Sequence, residues 1–577
     1  MAQTFEIKDK FYISGEPVQI ISGAFHYFRT VPEYWRDRME KLKNLGCNTV
    51  ETYVPWNFHE ENKGEYNFES MRNLEKFLQT AKDLGLFVII RPSPYICAEW
   101  EWGGLPAWLL ADKNMKVRCM YEPFLQAVRN WYKILLPKIA PFQINRNGTI
   151  IMVQIENEYG YFGKDKKYLQ FYADLMRQNG ITVPFVTSDG PWGSAIKRGS
   201  LPSALPTGNF GSKVKLQFGA MQKKIGKNRP LMVMEFWCGW FDAWNDSHHT
   251  SNLEQNKKDL DEIMRTGNVN FYMFEGGTNF GFMNGRNVTT LYGDTTSYDY
   301  DGILTQDGKI TPKYREFQKI IRSYKGGCEE NLSTDIEYKN FGRIEVSRKT
   351  DLFSTLEKIS VPKQQANAGY MEENGQNYGY ILYRLNAENA KTLQMQNAFD
   401  RVNIFADQNP VKTAFGKSLK NKFSIGKGEK NTQIDLLCEN LGRINFGKKI
   451  ASQRKGIESV KINGKKHQGF SIFNLSFTPE QIAKIDFDAG FEKGLPAFYE
   501  FVFNVEKPCD TFLNFEGFEK GCAFINGFNL GRYWQIGPQK KLYLPAPLLK
   551  PGKNTIILFE SEGTAGSFIT LDENDSW

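Results

Sequence analysis

Two glutamates, each ending an apolar run, carry the chemistry legible in this chain. Ile150 to Ile155 is apolar apart from Gln154, then switches to Glu156, Asn157 and Glu158. Leu231 to Met234 is apolar and leads into Glu235, Phe236 and Trp237. A continuous apolar run suits a strand buried on both faces of a parallel sheet. Acidic residues at its C-terminal end would open on the top face of a (β/α)8 barrel, where such barrels place their active sites. Two glutamates on one rim in an aromatic setting are what glycosidic cleavage needs, one as a protonated acid and one as an ionised nucleophile or base. Sugar rings have apolar faces that lie well against Trp and Tyr. A lone glutamate of this kind would more often be a structural ion pair; the pair, with its aromatic flanks, points to catalysis.

Other residues sort by the same logic. Arg91 to Pro106 holds three prolines, a glycine pair and alternating acids and tryptophans, and reads as a structured rim loop with a functional purpose. Within it Glu99 suits bidentate binding of sugar hydroxyls. Cys97 has no histidine near it in the motif and reads as a backbone contributor rather than a nucleophile. Asn157 suits a bond to a sugar 2-hydroxyl that strengthens at the transition state, with a turn-capping role as the alternative. Glu156 shares the direction of Glu158 only if the strand stays regular; the preferred reading is a buried carboxylate paired with an arginine or hydroxyl group. Tyr298 and Tyr300 lie among Asp294, Asp299 and Asp301 without the spacing of a calcium loop, so the segment reads as rim.

These residues need elements to hold them. Up to residue 325 strand and helix patterns alternate at the length of βα units. Strands are expected at 20–27, 49–53, 86–90, 150–155, 183–187, 204–209, 231–235 and 269–274, which is the barrel count. Trp35, Met39, Leu42 and Leu45 fall at helical spacing, as do Leu74, Phe77, Leu78 and Ala81, and Leu169, Tyr172 and Met176. Gly46, Gly85 and Gly180 are placed to end those helices. Beyond 326 the helical stripes give way to short strands rich in Phe, Tyr, Ile and Val between Gly, Asn and Lys turns. The expected organisation is a catalytic barrel over 1–325, a connector wrapping it over 326–375, and β-sandwich modules over 376–485 and 486–577. Phe524, Tyr533 and Trp534 read as sandwich core rather than a sugar platform.

The bulk numbers set bounds. A chain of 577 residues, 41% hydrophobic and 14% aromatic, suits two to four packed domains. Its 73 basic and 65 acidic residues leave a net +8, scattered singly, which gives nucleic acid little weight as a partner. Eight cysteines never form C-x-x-C, and five histidines show no ligand spacing, so neither metal nor other cofactor is expected. No run approaches the ~20 apolar residues of a membrane helix. The N-terminus shows no leader pattern; a secreted or periplasmic setting would suit a polysaccharide-degrading enzyme. The β-modules offer surfaces for association without a legible contact pattern.

Seven segments together resemble family 35 glycoside hydrolases, the β-galactosidases with bacterial, plant and lysosomal members. They are Thr52–Glu60 (TYVPWNFHE), Ile96–Trp100 (ICAEW), Gln154–Gly160 (QIENEYG), Gly276–Gly281 (GGTNFG), Thr296–Asp301 (TSYDYD), Cys438–Gly447 (CENLGRINFG) and Ile525–Trp534 (INGFNLGRYW). The resemblance implies an α/β architecture, a TIM barrel followed by two all-β jelly-roll domains, and exo-hydrolysis of terminal β-galactosides with retention. Carried over by motif, Glu158 would be the acid/base and Glu235 the nucleophile. Tyr53, the backbone at Cys97 and Ala98, Glu99, Asn157, Tyr272 and Tyr300 would surround the galactose, and Trp240 would line the pocket near the nucleophile. Two departures stand out. Asn147-Gly148-Thr149 replaces a common Gly-Gly-Pro, and Glu275 stands where relatives often carry His or an apolar residue, an added carboxylate near the rim that would bear on aglycone preference and pH profile. The alternatives are the same machinery on another β-glycoside, such as a β-glucosaminide, and a non-catalytic carbohydrate-binding protein.

Overall fold

Eight parallel strands close into a barrel. In chain order they are β1 (Ile21–Phe25), β2 (Thr49–Tyr53), β3 (Phe87–Arg91), β4 (Ile150–Gln154), β5 (Phe185–Asp189), β6 (Ala204–Phe210), β7 (Met232–Trp237) and β8 (Asn268–Glu275). Every expected strand is present within two residues at each end. The chain is described here from a computed structural model covering residues 3–326, 336–428, 430–451 and 453–575. Nearly all strand positions are buried, as both faces of a barrel strand are covered.

An outer helix follows each strand: α1 (Trp35–Leu45), α2 (Leu74–Asp83), α3 (Glu122–Ile139), α4 (Lys166–Gln178), a single turn α5 (Ala195–Gly199), α6 (Val214–Ile225), α7 (Leu253–Thr266) and α8 (Pro312–Lys325). The stripes seen in the sequence face inward: α1 buries Trp35, Met39, Leu42 and Leu45, and α2 buries Leu74, Phe77, Leu78 and Ala81. Burying a Leu or Phe side chain contributes roughly 1.5–3 kcal/mol, so these faces fix the helices to the strands. Gly46, at φ 109°, closes α1 in the left-handed conformation that a side chain would strain. A three-stranded sheet of Phe5–Ile7, Phe11–Ile13 and Glu16–Val18 precedes the barrel. Its strands of three residues are too short to carry a periodic signal, and sequence reasoning missed them.

The C-terminal half folds into four antiparallel sheets. Six-stranded and four-stranded sheets built between Lys363 and Leu475 form the first β-module; five-stranded and four-stranded sheets form the second. Of the segment expected as a connector, 327–335 lies outside the described residues. Gly342–Glu345 pairs with Phe568–Asp572 and Arg348–Asp351 with Ala497–Val505, so these strands belong to the second module's sheets. Such pairings span more than a hundred residues of chain and leave no local pattern. Phe524 and Tyr533 lie in that module's core, and Trp534 packs at its edge against Trp244 of the barrel.

The modules are locked to the barrel rim by buried polar contacts. Arg443 of the first module lies between Glu101 of the rim loop and Glu372. Tyr95 donates to the Asn445 carbonyl at 2.6 Å, and Trp102 Nε1 to the Ile450 carbonyl at 2.8 Å. A buried charge stripped of its partner costs several kcal/mol, so this seam resists opening. Among the described residues no helix is long and apolar enough to cross a membrane.

Candidate active site

Glu235 stands near the C-terminal end of β7, where the pairing register with β6 slips between Val233 and Glu235. A bulge of this kind re-aims a side chain at a barrel rim. Three donors hold the carboxylate. Arg91, the last residue of β3, donates from Nη2 to Oε1 at 2.7 Å, Tyr53 at the end of β2 donates to the same oxygen at 2.8 Å, and Trp237 Nε1 donates to Oε2 at 3.0 Å. The guanidinium also stacks on the Tyr53 ring at 3.9 Å and donates to Asn157 Oδ1 at 2.8 Å. Arg91 thus ties three strand ends together beneath one carboxylate.

Glu158 is reached differently. β4 stops at Gln154, and Glu156 and Glu158 both take left-handed backbone angles, φ 54° and 47°. The regular strand that would have aimed the two carboxylates alike is therefore absent. Glu156 turns away to Arg118, which grips it with Nε at 3.0 Å and Nη2 at 2.8 Å, and to the Tyr168 hydroxyl at 2.9 Å. This is the paired, buried role expected for it. The backbone N–H of Glu158 donates to the Ser188 carbonyl at 3.0 Å, and Asn209 Nδ2 donates to Glu158 Oε1 at 3.2 Å. Asn209 lies opposite Glu235 in the β6–β7 pairing, so one amide links the positions of the two carboxylates. Burial, and next the charge of Glu235, push the Glu158 carboxyl up to about 8.

Both glutamates line one cavity of about 600 Å³. Cys97, Ala98, Glu99, Asn157, Trp240, Tyr272 and Tyr300 share its wall. Tyr53 does not: it is fully buried and acts on the site through Glu235 and Asn157. Trp240 is 40% exposed and meets Trp237 edge-on at 5.7 Å, and Tyr272 and Tyr300 meet edge-on at 5.3 Å. Cys97, Ala98 and Glu99 are all left-handed, at φ 61°, 56° and 46°. Strain of this kind costs of order 1–3 kcal/mol per residue and persists only where the surroundings overdetermine it. Here Arg29 supplies the constraint, donating to the Ala98 carbonyl and, at 2.8 Å, to Asn279 Oδ1. Glu99 accepts from the Tyr298 hydroxyl and from Asn445 Nδ2 at 3.1 Å, and burial raises its carboxyl to about 7. Burial also holds the Cys97 thiol well above its usual range, which fits a backbone rather than a nucleophilic role.

Glu275 corrects an expectation. It is not on the cavity wall but faces α1, where Arg38 Nε donates to its Oε1 at 3.1 Å. Strand β8 runs on through Glu275, and the side chain at its end points to the helix layer rather than to the rim cavity. Asp299 accepts the Gln306 N–H at 3.0 Å and Asp301 pairs with Lys313 at 2.8 Å, so these two acids beside Tyr300 are committed to holding the rim. Among the described residues no group of three His, Cys, Asp or Glu side chains could hold a metal ion.

Several residues of the site went unread in the sequence. Tyr161 and Trp192 add aromatic wall beside Trp237, the flank already read from the sequence, and Phe446 and Lys448 reach in from the first β-module. Trp192 follows the end of β5 by three residues, a position that could have marked it. Nothing local marks Asn445 or Phe446 as neighbours of a barrel rim.

A (β/α)8 barrel whose rim joins a raised carboxylic acid and a clamped carboxylate in an aromatic cavity has the constitution of a glycoside hydrolase. Sequence comparison agrees and goes further. The model of glycosyl hydrolases family 35 matches residues 10–324, that of the β-galactosidase first all-beta domain residues 370–476, and that of the β-galactosidase galactose-binding domain residues 496–554. The Homo sapiens beta-galactosidase-1-like protein 2 is 38% identical over 98% of this chain and 90% of its own length. The Arabidopsis thaliana beta-galactosidase 17 is 35% identical (97% and 88%), and the Mus musculus beta-galactosidase 36% identical (97% and 93%). The chain belongs to glycosyl hydrolases family 35.

Proposed function

We propose that this enzyme is an exo-acting β-galactosidase that cleaves terminal β-D-galactosides with retention of configuration. One observation carries the assignment of roles: Glu158 has its proton held by burial and by the Glu235 charge, while the Glu235 oxygens receive three donors, from Tyr53, Arg91 and Trp237. Glu235 attacks the anomeric carbon as Glu158 passes its proton to the departing oxygen. Formation of the ester removes the negative charge of Glu235, so the Glu158 carboxyl becomes more acidic and then serves as base for the incoming water. Asn157 has its oxygen engaged by Tyr53 and Arg91 and one Nδ2 hydrogen directed to the Ile96 carbonyl at 3.3 Å; the second hydrogen is the donor offered to a sugar hydroxyl. Glu99, held from two sides, suits a pair of sugar hydroxyls. Phe446 and Lys448 of the first β-module close in on one side of the cavity wall, a constriction that would favour action on chain ends.

The test is hydrolysis of 4-nitrophenyl β-D-galactoside followed by proton NMR. β-Galactose released first supports double displacement. The α-anomer first would mean inversion and would remove Glu235 as nucleophile. A panel of aryl glycosides including the β-glucosaminide decides the sugar.

A further inference from the structure

The rim loop Arg286–Leu291 has two faces. Asn287, Val288 and Thr289 line the catalytic cavity, while Arg286 and Leu291 line a second cleft of about 590 Å³ against the first β-module. The two spaces share that loop as a wall.

Strand Thr392–Phe399 supplies the other side of the cleft. Its burial alternates, with Leu393 and Met395 inward and Gln394 and Gln396 outward. Left-handed Asn397 (φ 46°) resets the alternation, so Ala398 is buried and Phe399 comes out, 41% exposed. Leu291 is 51% exposed. Large apolar side chains left in water forfeit burial that a ligand could supply. No described group donates to the side-chain amide oxygens of Gln394, Gln396 or Asn397, while their nitrogens donate to the Lys420 carbonyl at 3.4 Å, the Met395 carbonyl at 3.3 Å and Glu458 at 2.6 Å, respectively. The one carboxylate in the lining, Asp400, is committed to Lys455 and lies 3.4 Å from Arg286. An apolar ring face beside amides that both accept and donate is the chemistry a sugar ring takes.

We propose that this cleft binds the distal sugars of an oligosaccharide whose terminal residue occupies the catalytic cavity. The inference rests on the glycosidase reading above. It makes the enzyme chain-length selective: the catalytic cavity takes the end, and the cleft across the loop takes sugars further along.

The experiment compares the unaltered enzyme with Phe399→Ala and Gln396→Ala, both surface changes that leave the core intact. Substrates are 4-nitrophenyl β-D-galactoside and galacto-oligosaccharide ladders from biose to pentaose in β-1,3, β-1,4 and β-1,6 linkage. We expect KM for the preferred pentaose to rise about tenfold, the loss of one stacked ring at ~1.4 kcal/mol, with aryl galactoside and biose kinetics unchanged. Equal effects on short and long substrates in every ladder, or no effect on any, overturn the proposal. Titration calorimetry of the pentaoses into Glu158→Gln, with and without Phe399→Ala, reads the cleft without turnover, and unchanged affinity overturns it there too. Failure of the catalytic reading shows separately, as no hydrolysis of the aryl galactoside by the unaltered chain.

Discussion

Asn445 of the first β-module donates from Nδ2 to Oε1 of Glu99 on the barrel rim, 3.1 Å across 346 residues of chain. This carboxylate on the barrel rim is thus held by Tyr298 from its own domain and by an amide from another. The module is part of the site's construction. Removing that amide leaves a buried carboxylate oxygen without its donor, a loss of about 1–3 kcal/mol. Asn445→Ala should lower kcat/KM for an aryl galactoside roughly ten- to hundredfold while the melting temperature falls only by a few degrees. Wild-type kinetics in the variant would show that the seam is mechanical only.

Replacing either paired glutamate should cost at least 10²–10⁴ in turnover, and added azide should separate their roles. In Glu235→Gly azide takes the nucleophile's place and yields the α-galactosyl azide. In Glu158→Gly it intercepts the glycosyl-enzyme and yields the β-galactosyl azide. The opposite pattern by NMR would exchange the two assignments.

With Glu158 as the proposed acid, its raised carboxyl should set the alkaline side of the pH profile. The acid must be protonated for the first step, so kcat/KM should hold below about 8 and decline as pH rises through that value. A limb that disappears in a substrate whose leaving group needs no proton, such as 2,4-dinitrophenolate, would assign it to Glu158. A limb that stays put would assign it elsewhere.

The same shift has a stability consequence with a definite sign. Between the ordinary glutamate value of 4.5 and the folded value of about 8, the unfolded chain has released a proton that the folded one retains. Stability from this group therefore falls as pH rises through that window. Glu158→Gln removes the dependence, so its melting temperature should exceed that of the unaltered enzyme by several degrees at pH 8 and by much less at pH 5. Parallel melting curves at the two pH values would contradict the burial argument.

Arg118 is the reverse case, a buried cation gripping Glu156 and donating to the Asn157 carbonyl at 2.7 Å. Arg118→Met should destabilise by about 3–5 kcal/mol, since it leaves Glu156 buried without its partner. Urea unfolding reads the size. The double variant with Glu156→Gln should recover part of the loss, and no recovery would mean that packing dominates.

Much of this protein could be read from its order of residues because the relevant signals are local. Strand and helix periodicity span five to fifteen residues, which is why all eight barrel strands and the inward stripe of α1 were legible. A glutamate that follows an apolar strand is carried to the rim by the strand itself, and this exposed both Glu158 and Glu235. That Glu156 is buried against an arginine or hydroxyl group is the preferred reading of the sequence, because structural ion pairs are common; the structure supplies both, in Arg118 and Tyr168. What only the tertiary structure decided are the contacts made by closure and docking. Arg91 meets Glu235 because β3 and β7 face each other across a closed barrel, and Glu275 meets Arg38 because α1 folds back beside β8. Asn445 meets Glu99 because a β-module docks on the rim. None of these partners is near the other in sequence, and each is selected by which buried polar groups the assembled surfaces bring within bonding distance.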